Sequence, residues 1–232
     1  LRIRASYKDI FRVPTFTDLY YLRMGNTNLK PEETSQYNVG VTWSSSCGDW
    51  LRHFSISADG YYNTVKDKIV ALPTMYVWKM MNMGEVDIKG VDVNLSTQFR
   101  LPLRMSLLLA STYSFQYAVD VTDPEAKNYK DQIPYTPRHS GTVSVTVENP
   151  WVNVSYILTA VGDRYALPQN IDRNRIDSYI EQSISINRDF RFRYFGLRLQ
   201  GELLNLANVN YDVIQYYPMP GRSWRLSICL SY

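Results

Sequence analysis

The chain has 232 residues, with 25 Lys and Arg against 22 Asp and Glu and a formal net charge of +3. The charges are spread without a basic block, so nucleic acid has no support as a partner, and two cysteines give neither a disulfide framework nor a metal-ligand spacing. No stretch approaches the roughly 18–20 consecutive apolar residues of a membrane helix, while 19 Tyr, 8 Phe and 5 Trp make the chain unusually aromatic.

Period-2 alternation recurs from the first residue onward, and helical periodicity is nearly absent. The opening Leu1-Arg2-Ile3-Arg4-Ala5 already alternates. No initiating Met or signal peptide stands before it, as expected of a piece of a longer chain. Ten strands are predicted, at 1–8, 33–43, 51–63, 82–98, 103–118, 138–148, 151–161, 176–186, 191–204 and 222–232. All prolines fall outside these spans, as they should where ladder donors are needed. In the fourth strand Val86 and Ile88 are even-numbered while Val91, Val93 and Leu95 are odd, and a β-bulge near Gly90 is the expected cause. The clearest alternation comes last: Trp224, Leu226, Ile228, Leu230 and Tyr232 oppose Arg225, Ser227, Cys229 and Ser231.

The connections alternate in length. Long segments at 9–32, 64–81, 119–137, 162–175 and 205–221 are separated by short ones at 44–50, 99–102, 149–150 and 187–190. A soluble β-sandwich or barrel with one wet face would show the same alternation along its strands. It has no reason to gather every long loop at one end, whereas outer-membrane barrels do. Trp43, Trp50 and Trp151 stand at short turns, where an interfacial girdle belongs. The expected fold class is therefore all-β, a transmembrane antiparallel meander barrel with about ten strands of a larger barrel. A mean hydropathy of −0.30 does not oppose it, because lipid-facing and lumen-facing residues cancel. Arg2, Arg4, Lys8, Asp92, Asn94, Glu181, Arg198, Gln200 and Glu202 are expected on the inward face, and Arg198 tests the register of its strand.

Two stretches of the first long segment carry a resemblance. One is Phe11-Arg12-Val13-Pro14-Thr15-Phe16-Thr17-Asp18-Leu19-Tyr20-Tyr21, and the other is Gly25-Asn26-Thr27-Asn28-Leu29-Lys30-Pro31-Glu32. With Leu203–Asn208, Tyr217–Arg222 and the terminal Tyr232, they resemble TonB-dependent outer-membrane receptors. The resemblance implies a 22-stranded barrel plugged by an N-terminal domain, with residues 1–232 as its C-terminal portion and the plug and first strands absent. It implies capture of a scarce nutrient (a siderophore-, cobalamin- or haem-like ligand) in a Gram-negative outer membrane. The implied partners are outer-membrane lipid, the remainder of the receptor, a small-molecule ligand, and an inner-membrane energy-coupling complex acting through the plug. The alternative is a self-contained ten-strand outer-membrane barrel acting as an enzyme or adhesin.

Enzymatic signals are weak. His53 and His139 stand alone, Asp18, Asp59 and Asp163 lie apart from them, and no nucleophile, phosphate or metal motif occurs. No catalytic residue, cofactor or metal is expected, although Tyr20 or Tyr21 is a conceivable ligand for ferric iron. Ligand binding is expected at Tyr20, Tyr21, Arg23, Tyr76, Trp78, Arg164, Tyr165, Tyr216 and Tyr217. Amphipathic rings stack on flat ligands and guanidinium groups recognise charge. The same residues would serve equally to stiffen loops or to meet lipopolysaccharide. Cys47 and Cys229 are expected near the short-turn end, eight strands apart, as free thiols.

Overall fold

A computed structural model describes residues 1–74 and 76–232. Its main feature is one ten-stranded antiparallel sheet in strict sequence order. We number its strands β1 (Arg2–Arg12), β2 (Glu32–Cys47), β3 (Leu51–Pro73), β4 (Trp78–Leu101), β5 (Met105–Asp120), β6 (His139–Glu148), β7 (Asn153–Val161), β8 (Tyr179–Arg191), β9 (Gly196–Leu204) and β10 (Ser223–Ser231). All ten predicted strands are present. A single helical turn, α1 (Phe16–Tyr20), sits in the first loop. Two small ribbons brace later loops, Arg164–Tyr165 with Arg175–Ile176 and Asp212–Ile214 with Tyr217–Pro218. β1 and β10 do not pair with each other, so the sheet is open and the self-contained ten-strand barrel is not formed.

Register sorts the side chains onto two faces, because residues directly opposite in antiparallel strands share a face. Val41, Ala58, Val93, Tyr113, Gly141 and Ala160 lie in one such row. Leu203, Gly201, Leu199 and Leu197 of β9 face Trp224, Leu226, Ile228 and Leu230 of β10 on the same apolar side. The opposite face carries Arg2, Arg4, Lys8, Asp92, Asn94, Glu181, Arg198, Gln200 and Glu202, every one of the residues expected there. Arg198 is held there by a two-pronged ion pair with Asp189, at 2.5 and 2.9 Å, and its strand register stands. On the same face Arg4 reaches Asp59 at 2.5 Å across Gly40.

The apolar face is bounded by rings. Tyr7, Tyr37 and Tyr62 are register neighbours toward the long-loop end, with centroids 4.8 and 6.5 Å apart. At the short-turn end Trp43 packs edge-on to Phe54 at 5.3 Å, and Trp50 stacks on Phe99 at 5.6 Å. Aromatic borders on both sides of an apolar band are the mark of two membrane–water interfaces. Thr97 lies within the band with its hydroxyl donating to the His53 carbonyl at 3.1 Å, so no polar hydrogen is left to lipid. Cys47 and Cys229 are unpaired and exposed.

Two expectations are corrected. No bulge occurs at Gly90, since pairing runs unbroken through Tyr61↔Gly90 and Gly90↔Gln116. The shift in apolar phase has another cause. Val65, Val86, Ile88 and Ala118 occupy the polar face, above the band, and bury themselves with Ile133 of the loop 121–138 in a small water-excluded core. A strand that leaves lipid and enters water exchanges one apolar face for the other. The register irregularities fall instead between Ser45 and Cys47 and between Leu51 and His53, at the short turn.

The second correction concerns 64–81, read as a long loop. β3 and β4 keep pairing up to Pro73↔Trp78, and the hairpin stands about 36 Å above Tyr62 at 3.3 Å per residue. Outside lipid the pairing no longer needs an apolar outer face, so alternation stops while the ladder continues. Pro73 thus falls within a strand, at its last position, where a missing donor is tolerated.

Candidate functional site

The motif-bearing first loop is a latch. Thr15 and Asp18 form a reciprocal capping box at the start of α1: Thr15 N–H donates to Asp18 at 2.9 Å and Asp18 N–H to the Thr15 hydroxyl at 3.2 Å. Arg12 donates to Asp18 at 3.1 Å and to Glu32 at 3.5 Å, so one guanidinium ties the first motif to the second. Glu32 also accepts from the Ile69 amide at 3.2 Å. Asn82 accepts from the Lys30 amide at 2.8 Å and donates to the Asp67 carbonyl at 2.7 Å. Asn26 donates to the Met80 carbonyl at 3.1 Å. The loop is thereby fastened to the β3–β4 hairpin.

Amide donation from Thr15, helped by its hydroxyl and by Arg12, outweighs burial and holds the Asp18 carboxyl below the usual carboxylate range. A depressed folded value means that the ionised latch contributes its full stability above the unfolded carboxylate range, near pH 4. That contribution is lost as pH falls through the lower folded value. Hydrogen exchange of the 15–21 amides is therefore expected to stay slow from pH 7 to about pH 4 and to accelerate below it, after correction for intrinsic rates. Asp18→Asn should abolish the pH step.

The last loop is also closed on itself. Asn205, only 3% exposed, donates to the carbonyls of Val209 and Pro220 at 2.9 and 3.2 Å and accepts from the Val209 amide at 2.9 Å. Asn208 accepts from the Arg222 amide at 2.8 Å.

Four separate segments meet at the long-loop end and enclose a cleft of about 830 Å³. The β3–β4 tip gives Tyr76 and Trp78, the loop 121–138 gives Tyr135, the loop 162–178 gives Gln169 and Arg173, and the loop 205–222 gives Gln215, Tyr216 and Tyr217. Trp78 and Tyr135 pack with centroids 5.7 Å apart. The Tyr135 amide donates to the Tyr165 carbonyl at 2.7 Å, and Gln215 donates to the Arg173 carbonyl at 3.0 Å. Burial pushes the Tyr135 phenol up, against the Gln215 amide and Arg164. Arg173 forms no ion pair among the described residues. The cleft thus offers ring faces, phenol and amide hydrogen-bonding groups, and one unpaired cation.

Of the nine residues singled out from sequence, the structure brings Tyr76, Trp78, Tyr216 and Tyr217 together in this cleft. Tyr20, Tyr21 and Arg23 lie in the first loop, exposed and outside it, with Tyr20 packed on Phe16 at 4.8 Å. Arg164 is 3% exposed and faces no mouth: its guanidinium donates to the carbonyls of Asp212 and Val213 at 2.6 and 3.2 Å and lies 5.6 Å from the Tyr179 ring centre. Through these two carbonyls Nη2 ties the loop 162–178 to the loop 205–222, while the buried Nη1 has no partner among the described residues. Tyr165 supports Tyr135 through its backbone. Sequence reasoning missed Tyr135, Arg173 and Gln215, and no local signal separates them from other loop residues. His139 bonds to the Tyr113 hydroxyl at 2.9 Å on the apolar face, away from any carboxylate pair. No cluster of metal-ligating side chains occurs among the described residues.

Comparison with known proteins agrees with this architecture. Residues 1–206 match the family model for the TonB dependent receptor-like β-barrel. A Vitamin B12 transporter BtuB from Photobacterium profundum is 26% identical over 97% of this chain and 34% of its own length. Another from Vibrio vulnificus is 25% identical over 95% of the chain and 33% of its own length. The copper transporter OprC superposes with a TM-score of 0.72 at 16% identity, covering 99% of this chain and 38% of that one. The chain spans about a third of the length of the curated relatives it matches. Strand order, two-faced register and family match converge, and the chain belongs to the TonB-dependent receptor β-barrel family.

Proposed function

We propose that this chain forms wall and mouth of a Gram-negative outer-membrane receptor that captures a scarce nutrient for energy-coupled import. The observation that carries the reading is the cleft that four loops build from Trp78, Tyr76, Tyr135, Tyr216, Tyr217 and Arg173. Rings bearing a polar edge beside one unpaired cation suit a flat, polar, partly anionic ligand of the siderophore, cobalamin or haem kind. Family membership and the transporters among its relatives support the same reading. Residues 1–232 are assigned to the C-terminal part of the barrel, and the rest of the receptor supplies the plug and first strands. The inner-membrane energy-coupling complex acts through that plug. The role requires no covalent chemistry of this chain: binding shifts the populations of plug and loops.

Cyanocobalamin, ferric citrate and a ferric catechol siderophore are the probes to titrate into the intact receptor. Trp78→Ala and Tyr216→Ala are each expected to weaken whichever probe binds by about 10- to 100-fold, as aromatic anchors covered by a ligand do. Tyr20→Ala and Tyr21→Ala should leave affinity within about twofold. The reverse pattern would move the site to the first loop, and no binding of any probe would remove the nutrient assignment.

A further inference from the structure

The capture cleft does not end at Tyr216. A second compartment of about 320 Å³ adjoins it, built from the end of the loop 162–178 and the middle of the loop 205–222. The two share Gln215 and Tyr216 as lining, so Tyr216 stands as the partition between cleft and annex. Its backbone is left-handed, with φ at 67°, and its amide donates to Asp212 Oδ2 at 3.0 Å. A non-glycine residue keeps that conformation only where its surroundings over-determine it. Tyr211, stacked on Tyr179 with centroids 4.1 Å apart, gives the annex a ring wall of its own.

The two compartments carry opposite charge. Among the described residues that line the cleft, Arg173 is the only ionic side chain and no carboxylate occurs. Arg164, whose buried Nη1 has no partner, adds a second positive charge behind Tyr135. The annex is lined instead by Asp177 and Asp212 against one guanidinium, Arg175. That guanidinium is already shared, facing Asp163 at 3.8 Å and Asp177 at 3.6 Å. Glu181 places a further carboxylate beside Tyr211. A ligand that fills both compartments must therefore change character along its length. Charge complementarity asks for an anionic head in the cleft and a cationic or donor-rich arm in the annex.

We propose that the captured nutrient is an anionic, aromatic ferric chelate that carries an amine- or hydroxyl-bearing arm. The chelate stacks on Trp78 and Tyr217 beside Arg173, and the arm passes Tyr216 to meet Asp177 and Asp212. The assignment rests on the capture reading above and narrows it. A ligand with a carboxylate or phosphate arm would set that anion against Asp177 and Asp212, which costs affinity and selects against it.

The test titrates the intact receptor calorimetrically with three tripodal ferric tris-catecholates that differ only in one arm: aminopropyl, propyl or carboxypropyl. Cyanocobalamin is the fourth probe. Partly exposed ion pairs are individually weak, but reversing the sign of the arm counts attraction and repulsion together. Wild type should therefore prefer the aminopropyl over the carboxypropyl chelate by roughly tenfold, with the propyl chelate between them. Asp177→Asn, at a side chain 92% exposed and so tolerated by the fold, should narrow the preference. Asp177→Asn combined with Asp212→Asn should bring the three chelates within about twofold of one another. Arg173→Gln should weaken all three and keep the order of the arms. Equal affinity for the three arms in wild type, or an undiminished preference in both aspartate variants, overturns the proposal. Cyanocobalamin binding where no chelate binds overturns the anionic head and leaves the capture reading standing. A receptor that binds none of the four refutes the capture reading, and the proposal falls with it.

Discussion

Leu95→Arg is expected to lower the folding free energy of the intact barrel by about 2–4 kcal/mol, the cost of a cation placed on the lipid face near mid-depth. Asn94→Arg, one residue away, should cost less than about 1 kcal/mol because it enters the polar face. The contrast follows from register. Leu95 stands opposite Ile56 and Ser111 in the apolar band, between Val93 and Thr97. Asn94 stands opposite Ser57 and Thr112 and donates to the Ser57 hydroxyl at 3.4 Å. Denaturant titration of the receptor refolded into vesicles measures both. Equal penalties would mean that β4 does not separate lipid from lumen.

Arg12→Ala comes next in size, with an expected loss of about 1–3 kcal/mol in the local stability of the first loop. The side chain is half exposed, but its partners are not: Asp18 and Glu32 side chains retain 10% and 14% of their exposure. Removing the guanidinium leaves two buried carboxylates facing each other across the latch, and the penalty is that of the stranded charges. Amide exchange across 15–32 should quicken by roughly 10- to 100-fold, with the barrel strands unaffected. Arg12→Lys should rescue little, since a single ammonium does not span two carboxylates as a forked guanidinium does. Slow exchange together with lost nutrient binding would make Arg12 a ligand contact instead of a latch.

The strands of this protein are legible in its sequence because the membrane forces a two-residue period on whatever crosses it. The alternation of Trp224 through Tyr232 states strand, face and end at once. Where the solvent changes, the pattern changes with it. Residues 64–72 read as loop although their ladder is intact, and the phase change before Val91 reads as a bulge although the pairing is unbroken. Both errors arise from treating one strand as lying in one medium. The site was less legible, since a cleft assembled from four loops is a property of their packing. Arg164 and Arg173 belong to the same loop and offer the same chemistry; only burial sends one to the carbonyls of Asp212 and Val213 and leaves the other in the cleft. The loop motifs were visible as a resemblance, but their work as a latch depends on Arg12 reaching Asp18 and Glu32 together.

The small core formed by Val65, Val86, Ile88, Ala118 and Ile133 has a thermodynamic consequence. These side chains are withdrawn from water, so their contribution carries the heat-capacity signature of a soluble domain and weakens on cooling. The band below gives its apolar side chains to lipid, where temperature acts through the order and thickness of the bilayer. β4 runs through both regimes without a break in its ladder. Cooling therefore weakens the cap beneath the cleft, while the wall follows the bilayer, and cleft and wall answer to different physical variables within one continuous strand.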